Sequence, residues 1–376
     1  MLKVKALAIG TLTSSITGFI SWYPLIAILF LTNDIWYIVP MFIISSLISS
    51  ILTLLLHNYI VKAHIINTVL ATASIILYIV TLFFNQIYLW IILLGLLVSL
   101  SGYLGRAYNT IISSSYGFPK SLKSKILDKI VSRSWIFGSI GCLLMTLLAI
   151  SIGMVYTIGI IIILSTISLA SSLFFRPYVS GKKMVDTDIK EHSEAYRVLL
   201  VYTAMVVFGL NILYPYMPAF LALELNKTLL EIGIFYASII VLSRFLSSLA
   251  QLIVALKGPV TSFFIRSLIS ALMLLTASAS DQPLFTIVCL GVVLVISPFH
   301  SIAYSIFAKT LGVKKIVRAE ILYTVITMLT VYIGYRLWSI DYRLLLIVPS
   351  FILFFTISFI GSLKKYEKMV LEEVTK

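Results

Sequence analysis

Two arginines interrupt apolar runs that carry no other charge. Arg244 lies in the middle of the run 232–256, and Ser247, Ser248 and Gln251 follow it three, four and seven positions on, which is one face of a helix. Arg106 lies in the run 87–116, with Gly102 four positions before it, Asn109 three after and Ser113 seven after. A guanidinium so placed can hold a carboxylate or a phosphate through paired N–H donors, which an ammonium does less well. The run 284–308 puts Ser297, His300, Ser301 and Tyr304 on one face, and the run 198–223 offers Asn211, Tyr214 and Pro218. Tyr23 stands before Pro24 as Tyr214 stands before Pro215. The expected ligand-contacting set is therefore Arg244, Arg106, Asn109, Asn211, Tyr214, His300, Tyr304 and Tyr23. Plainer roles compete with each: snorkelling for Arg106, carbonyl bonding for Arg244, a structural hydrogen bond for His300, and interfacial seats for the tyrosines. Arg266 and Arg336 lie near run ends and are expected to snorkel. The small polar row Ser45, Ser46, Ser49, Ser50 and Thr53 suits close helix packing.

The chemistry that is missing narrows the reading. No Asp or Glu falls in the middle of an apolar run; Asp34, Glu231, Glu320 and Asp341 lie near ends or in loops. Any interior site is thus expected to be electropositive, which favours anionic or neutral polar organic molecules over cationic drugs. The four histidines (57, 64, 192 and 300) show no paired-ligand spacing, and Cys142 and Cys289 both lie in apolar stretches, so no metal site, disulfide framework or cofactor is expected. A membrane-embedded enzyme lacks a nucleophile–base set or a carboxylate pair. A nucleotide-driven pump lacks, within this chain, a Gly-Lys-Ser/Thr phosphate loop.

The elements that must position these residues follow from composition. The chain has 376 residues, 60% of them hydrophobic and only 11% charged, with a mean hydropathy of +1.09. Soluble domains carry about a quarter charged residues, so lipid is the natural surroundings of this surface. A membrane-crossing helix needs roughly twenty apolar residues, and such runs recur at 6–31, 35–61, 65–84, 87–116, 135–152, 155–175, 198–223, 232–256, 261–278, 284–308, 321–338 and 344–363. The shortest separator is Gly153, between the fifth and sixth. The spacing predicts an all-α integral membrane protein with twelve transmembrane helices. The first run is long and has no small-residue cleavage site, so it is expected to be a membrane span and not a removable signal.

The net charge of +14 sits in loops, which argues against nucleic acid as a partner. Lys62, the cluster Lys120 to Arg133, Lys182, Lys183, Lys190, Lys257 and Lys309 to Arg318 all follow even-numbered runs, whereas Lys227, Arg336 and Arg343 lie opposite. Both termini are expected in the cytoplasm of a multi-pass cell-membrane protein. The longest polar stretch, 176–197, divides six runs from six: a bundle 1–175, a linker 176–197, a bundle 198–364 and a tail 365–376. Tyr23-Pro24 against Tyr214-Pro215 differ by 191; Gly95, Ser101 and Ala107-Tyr108 against Gly291, Ser297 and Ala303-Tyr304 by 196; Lys129-Ile130-Val131 against Lys315-Ile316-Val317 by 186. Ordered matches of this kind point to duplication.

The stretch Tyr214-Pro215-Tyr216-Met217-Pro218…Leu223-Glu224-Leu225…Glu231-Ile232-Gly233…Ser243-Arg244 resembles the seventh-to-eighth helix pattern of the major facilitator superfamily, and Arg133…Gly138-Ser139-Ile140-Gly141 is similar to its fifth-helix entry. The family's Gly…Asp-Arg-x-Gly-Arg loop is replaced here by His57-Asn58-Tyr59-Ile60-Val61-Lys62-Ala63-His64, and only Lys257-Gly258 remains of its counterpart. The resemblance covers the whole chain. It implies two six-helix bundles (6+6) and a monomeric secondary active or facilitative transporter. Such a transporter would move a small-molecule substrate by alternating access about a midplane site, within membrane lipid and with a coupling proton or ion. A lipid-linked glycan flippase or a multidrug exporter is the alternative.

Overall fold

The computed structural model describes residues 22–56, 60–113, 126–173, 193–309 and 313–375. The chain forms two compact units: residues 1–184 with 226–240, and residues 185–225 with 241–376. The described residues are helical with short connections and contain no strand. Seven helical stretches among them are long and apolar enough to cross a membrane: Met154–Ser171, Glu194–Leu223, Leu229–Lys257, Pro259–Ser278, Pro283–Tyr304, Ile321–Ile340 and Leu344–Lys368.

In the first unit the helices are α1 (Tyr23–Thr32), α2 (Ile38–Leu56), α3 (Ile60–Phe84), α4 (Ile87–Ser113), α5 (Ile126–Ile152) and α6 (Met154–Leu173), with a 3-10 turn Ile35–Tyr37 before α2. Gly153 alone separates α5 from α6 and adopts φ +92°, a left-handed conformation that costs glycine little. The serine row of α2 is a packing device. Ser45 Oγ and Ser99 Oγ lie 3.1 Å apart, and a Cβ on Gly95 would stand 3.0 Å from the Met41 carbonyl oxygen. Small residues bring helix backbones together in lipid, where apolar burial alone does not drive association. The first part of α9 (Leu229–Lys257) belongs to this unit as well. It starts with a capping box in which the Thr228 N–H donates to Glu231 Oε2 at 2.8 Å and the Glu231 N–H donates to Thr228 Oγ1 at 3.3 Å. It then packs through Gly233 on Thr146, through the Ser139 hydroxyl, which donates to the Ala237 carbonyl at 3.2 Å, and through Tyr236, stacked on Trp22 at 4.9 Å.

In the second unit, α7 (Ser193–Leu213) is followed by a 3-10 turn Tyr214–Tyr216 and the short α8 (Met217–Leu223). Next come the remainder of α9, then α10 (Pro259–Ser278), α11 (Pro283–Val295), α12 (Ser297–Lys309), α13 (Val313–Ile340) and α14 (Leu344–Thr375). Two runs expected as single helices are thus interrupted: 198–223 at Tyr214–Tyr216 and 284–308 at Ile296. Proline explains both, since Pro215 and Pro298 carry no N–H to continue the ladder and crowd the preceding turn. The tail expected at 365–376 continues α14 as helix to Thr375. Its Glu367, only 7% exposed, accepts the Val260 N–H at 2.9 Å and so caps the start of α10 from another helix. Lys364 neutralises it at 3.3 Å.

Gly334 of α13 is the tightest helix contact beside an interruption: a Cβ there would meet the Ile212 carbonyl at 2.5 Å and the Tyr216 ring at 2.6 Å. Gly334→Val is expected to destabilise the second unit by about 1–3 kcal/mol through overpacking. The same change at Gly361, which has nothing within 4 Å, should be nearly silent in thermal unfolding of the detergent-solubilised protein.

Candidate functional site

The polar centre of the second unit is built around α10. Arg266 lies seven residues inside that helix, ~10 Å from its start, and is only 2% exposed. This overturns the expectation that it snorkels. Its Nη2 donates to the Tyr214 hydroxyl at 2.6 Å, and its Nη1 donates to Ser270 Oγ at 2.6 Å and to the Val293 carbonyl. All three partners are neutral. The last carbonyls of a helix have no intrahelical donor, and Val293 is in the last turn of α11; the guanidinium finds an acceptor there and need not reach for the surface. One turn earlier on α10, Ser262 donates to the Phe299 carbonyl in the first turn of α12 at 2.9 Å. Only the interruptions in neighbouring helices could have signalled this arrangement, and Pro215 and Pro298 are their trace in the sequence.

Beside Arg266 lies an aromatic group. The His300 ring stacks with Tyr304 at 6.0 Å and with Tyr202 at 6.1 Å, and Phe263 tilts over it at 5.3 Å. His300 Nδ1 is buried and has no hydrogen-bond partner among the described residues. The Tyr202 hydroxyl stands 3.0 Å from Ser267 Oγ, which accepts from Thr356 at 3.1 Å. A chain of hydroxyls thus links α7, α10 and α14.

Of the residues singled out in the sequence, Tyr214, His300 and Tyr304 meet in this region. Asn211 does not join them: its Nδ2 donates to Thr327 Oγ1 of α13 at 2.8 Å. Arg244 is exposed on the second half of α9. Tyr23, in the first unit, is fully buried. Arg106 and Asn109 belong to α4 by their backbone, and their side chains lie outside the described residues. Arg336 is exposed at the end of α13. No group of three or more His, Cys, Asp or Glu able to hold a metal occurs among the described residues. Cys142 and Cys289 are buried and form no disulfide.

Two cavities among the described residues are large enough to weigh as ligand sites. A groove of about 920 Å³ in the first unit is walled by Ile75, Ile160 and Ile163 with Tyr78 and Tyr156; isoleucine walls give a polar solute little to hold. A cavity of about 110 Å³ in the second unit is lined by Glu224, Asp281, Tyr342 and Arg343 where three connections meet. There Arg343 pairs with Asp281 at 2.6 Å, and its N–H donates to Asp341 Oδ1 at 2.8 Å.

No family model and no curated protein matches this sequence. Solved structures do match its fold. A bacterial homologue of the iron transporter ferroportin, in an inward-facing state, superposes with a TM-score of 0.71 at 14% identity, over 96% of this chain and 98% of that one. The nucleoside transporter NupG gives 0.64 at 12%, over 98% and 100%. FucP, the E. coli fucose:proton symporter, gives 0.64 at 13%, over 96% and 98%; its outward conformation has been solved as a major facilitator superfamily transporter. The described residues form helices, seven of them long and apolar enough to cross a membrane. The chain has the fold of the major facilitator superfamily transporters.

Burial, and then the neighbouring Asp341 carboxylate, raise the Glu224 carboxyl above its ordinary value. Because the folded-state value lies above the unfolded one, the ionised group costs stability at neutral and alkaline pH, and that cost fades as pH falls through the folded value. Glu224→Gln should therefore raise the melting temperature at alkaline pH. The gain should vanish toward about pH 4, the ordinary range of a glutamate.

Proposed function

We propose that this chain is a secondary active or facilitative transporter that carries a small anionic or neutral polar organic molecule across the cell membrane by alternating access. The carrying observation is the likeness to solved transporters, which extends over nearly the whole chain and nearly the whole of each neighbour. The architecture we infer has twelve spans in two bundles, 1–175 and 198–364, joined by the linker 176–197, with the tail 365–376 and both termini in the cytoplasm. The protein works as a monomer, and in the secondary active case a proton or another ion provides the coupling.

The substrate class rests on charge. Arg244 is exposed and makes no hydrogen bond or ion pair with a described residue, and Arg266 is buried among neutral partners. A charge in a transmembrane segment costs a few kcal/mol on insertion scales and marks substrate or ion pathways. Arg244 is the residue we assign to the anionic or polar group of the substrate, with Arg106, Asn109, Asn211, Tyr214, His300, Tyr304 and Tyr23 as further contacts.

Uptake into proteoliposomes tests this, with organic acids, sugars, nucleosides and ferrous iron offered separately, with and without a pH gradient. Organic anions or neutral polyols should accumulate. Arg244→Gln should reduce their uptake at least about tenfold while the protein stays folded, and Arg244→Lys should retain part of it, because a point charge lacks the bidentate fork. Full uptake by a well-folded Arg244→Gln protein contradicts the assignment. Topology is tested separately: single cysteines placed at Ser180 and at Asn226 should react with an impermeant reagent from opposite sides, and equal reaction from outside contradicts the twelve-span layout.

A further inference from the structure

One side chain reaches both interruptions of the second unit. Arg266 of α10 holds Tyr214, the first residue of the 3-10 turn that breaks the path from α7 to α8, and Val293, in the last turn before the break between α11 and α12 at Ile296. We propose that Arg266 is a positioning residue that couples these two bends, so that the interrupted helices of this unit change shape together.

The argument rests on the guanidinium itself. Its donors sit in a rigid planar fork, so a rotation that carries Nη2 away from the Tyr214 hydroxyl also moves Nη1 relative to the Val293 carbonyl. The charge is buried and has no carboxylate partner among the described residues. A lost acceptor therefore leaves a charged donor unsatisfied, which costs more than losing a neutral bond. Irregular backbone at membrane depth persists only where neighbours satisfy its freed polar groups; Arg266 gives a donor to a backbone carbonyl beside one break and holds the side chain of the first residue of the other. Helix α7 has a second anchor that bypasses α10: the Tyr216 hydroxyl donates to the Val331 carbonyl of α13 at 2.5 Å. That bond allows the coupling to be tested, because it fastens the same 3-10 turn without touching Arg266.

The experiment is hydrogen–deuterium exchange of the full chain in lipid nanodiscs, comparing the unaltered protein with Tyr214→Phe, Tyr216→Phe, these two combined, and Arg266→Gln. Tyr214→Phe removes one hydroxyl that bonds α10, and it should speed exchange by roughly tenfold, the scale of one charge-assisted bond. The acceleration should appear at 212–219 and also at 292–302. Tyr216→Phe should also speed exchange at both segments, because a loosened turn moves the Tyr214 hydroxyl that Arg266 holds. Added to Tyr214→Phe, where that hydroxyl is gone, it should speed exchange further at 212–219 and leave 292–302 as in Tyr214→Phe alone. Arg266→Gln should affect both segments; should that protein fail to fold, the tyrosine variants decide the matter. Acceleration confined to 212–219 in Tyr214→Phe overturns the proposal. Further acceleration at 292–302 on adding Tyr216→Phe to Tyr214→Phe overturns it too, because the bends would then communicate without the Arg266–Tyr214 bond.

Discussion

In hydrocarbon, every backbone N–H and C=O needs a partner from the protein, since no water is available to supply one. A continuous helix meets that demand internally, and an interrupted helix does not. The described residues of the second unit contain two interruptions, and several of its polar side chains bond at or beside them. Tyr214 and Tyr216 flank Pro215 and fasten the 3-10 turn to α10 and α13 in turn. Arg266 and Ser262 supply donors to carbonyls on either side of Ile296. Gly334 lets α13 come close enough for the Tyr216 bond to form. The same rule explains Glu367, which caps α10 from a distant part of the sequence because Pro259 and Gly258 leave that start without a side-chain cap of its own.

Helix identity was legible from apolar run length, and turn chemistry placed the separators well: Asn33, Asn85 and Asn226 all adopt positive φ where the sequence breaks its runs, and Gly153 does so between α5 and α6. Helix ends were less legible. Ile126–Arg133 and Lys364–Thr375 are helical but polar, and a hydropathy reading stops where polarity begins although the backbone continues. Arg266 was misjudged for a related reason. Counting residues gives a side chain's depth along its own helix, whereas burial depends on whether neighbours present acceptors at that depth. Ser270 is four residues on in the same helix, but the other two acceptors lie beside breaks in other helices, and single-helix periodicity cannot report those. Asn211 shows the converse: a polar residue on a helix face found its partner, Thr327, in the adjacent helix, and pattern alone does not separate that role from contact with a ligand.

The distribution of charge ties the fold to the proposed function. Glu231 caps α9 and Asp281 pairs with Arg343 at helix ends and connections, and Glu367, though within α14, meets the start of α10, while Arg244 and Arg266 occupy helix interiors. Cations within the helices and acids toward their ends are what support the proposed preference for negative or neutral polar solutes over cations. The measurement that bears most directly on this claim is a ligand panel read by thermal unfolding of the purified protein, since a ligand that binds the folded state raises its melting temperature with the logarithm of its concentration above the dissociation constant. The account predicts that the stabilising compounds are small organic anions or neutral polyols, and that raising salt weakens the effect of the anions. Stabilisation by lipophilic cations or divalent metals alone would contradict it.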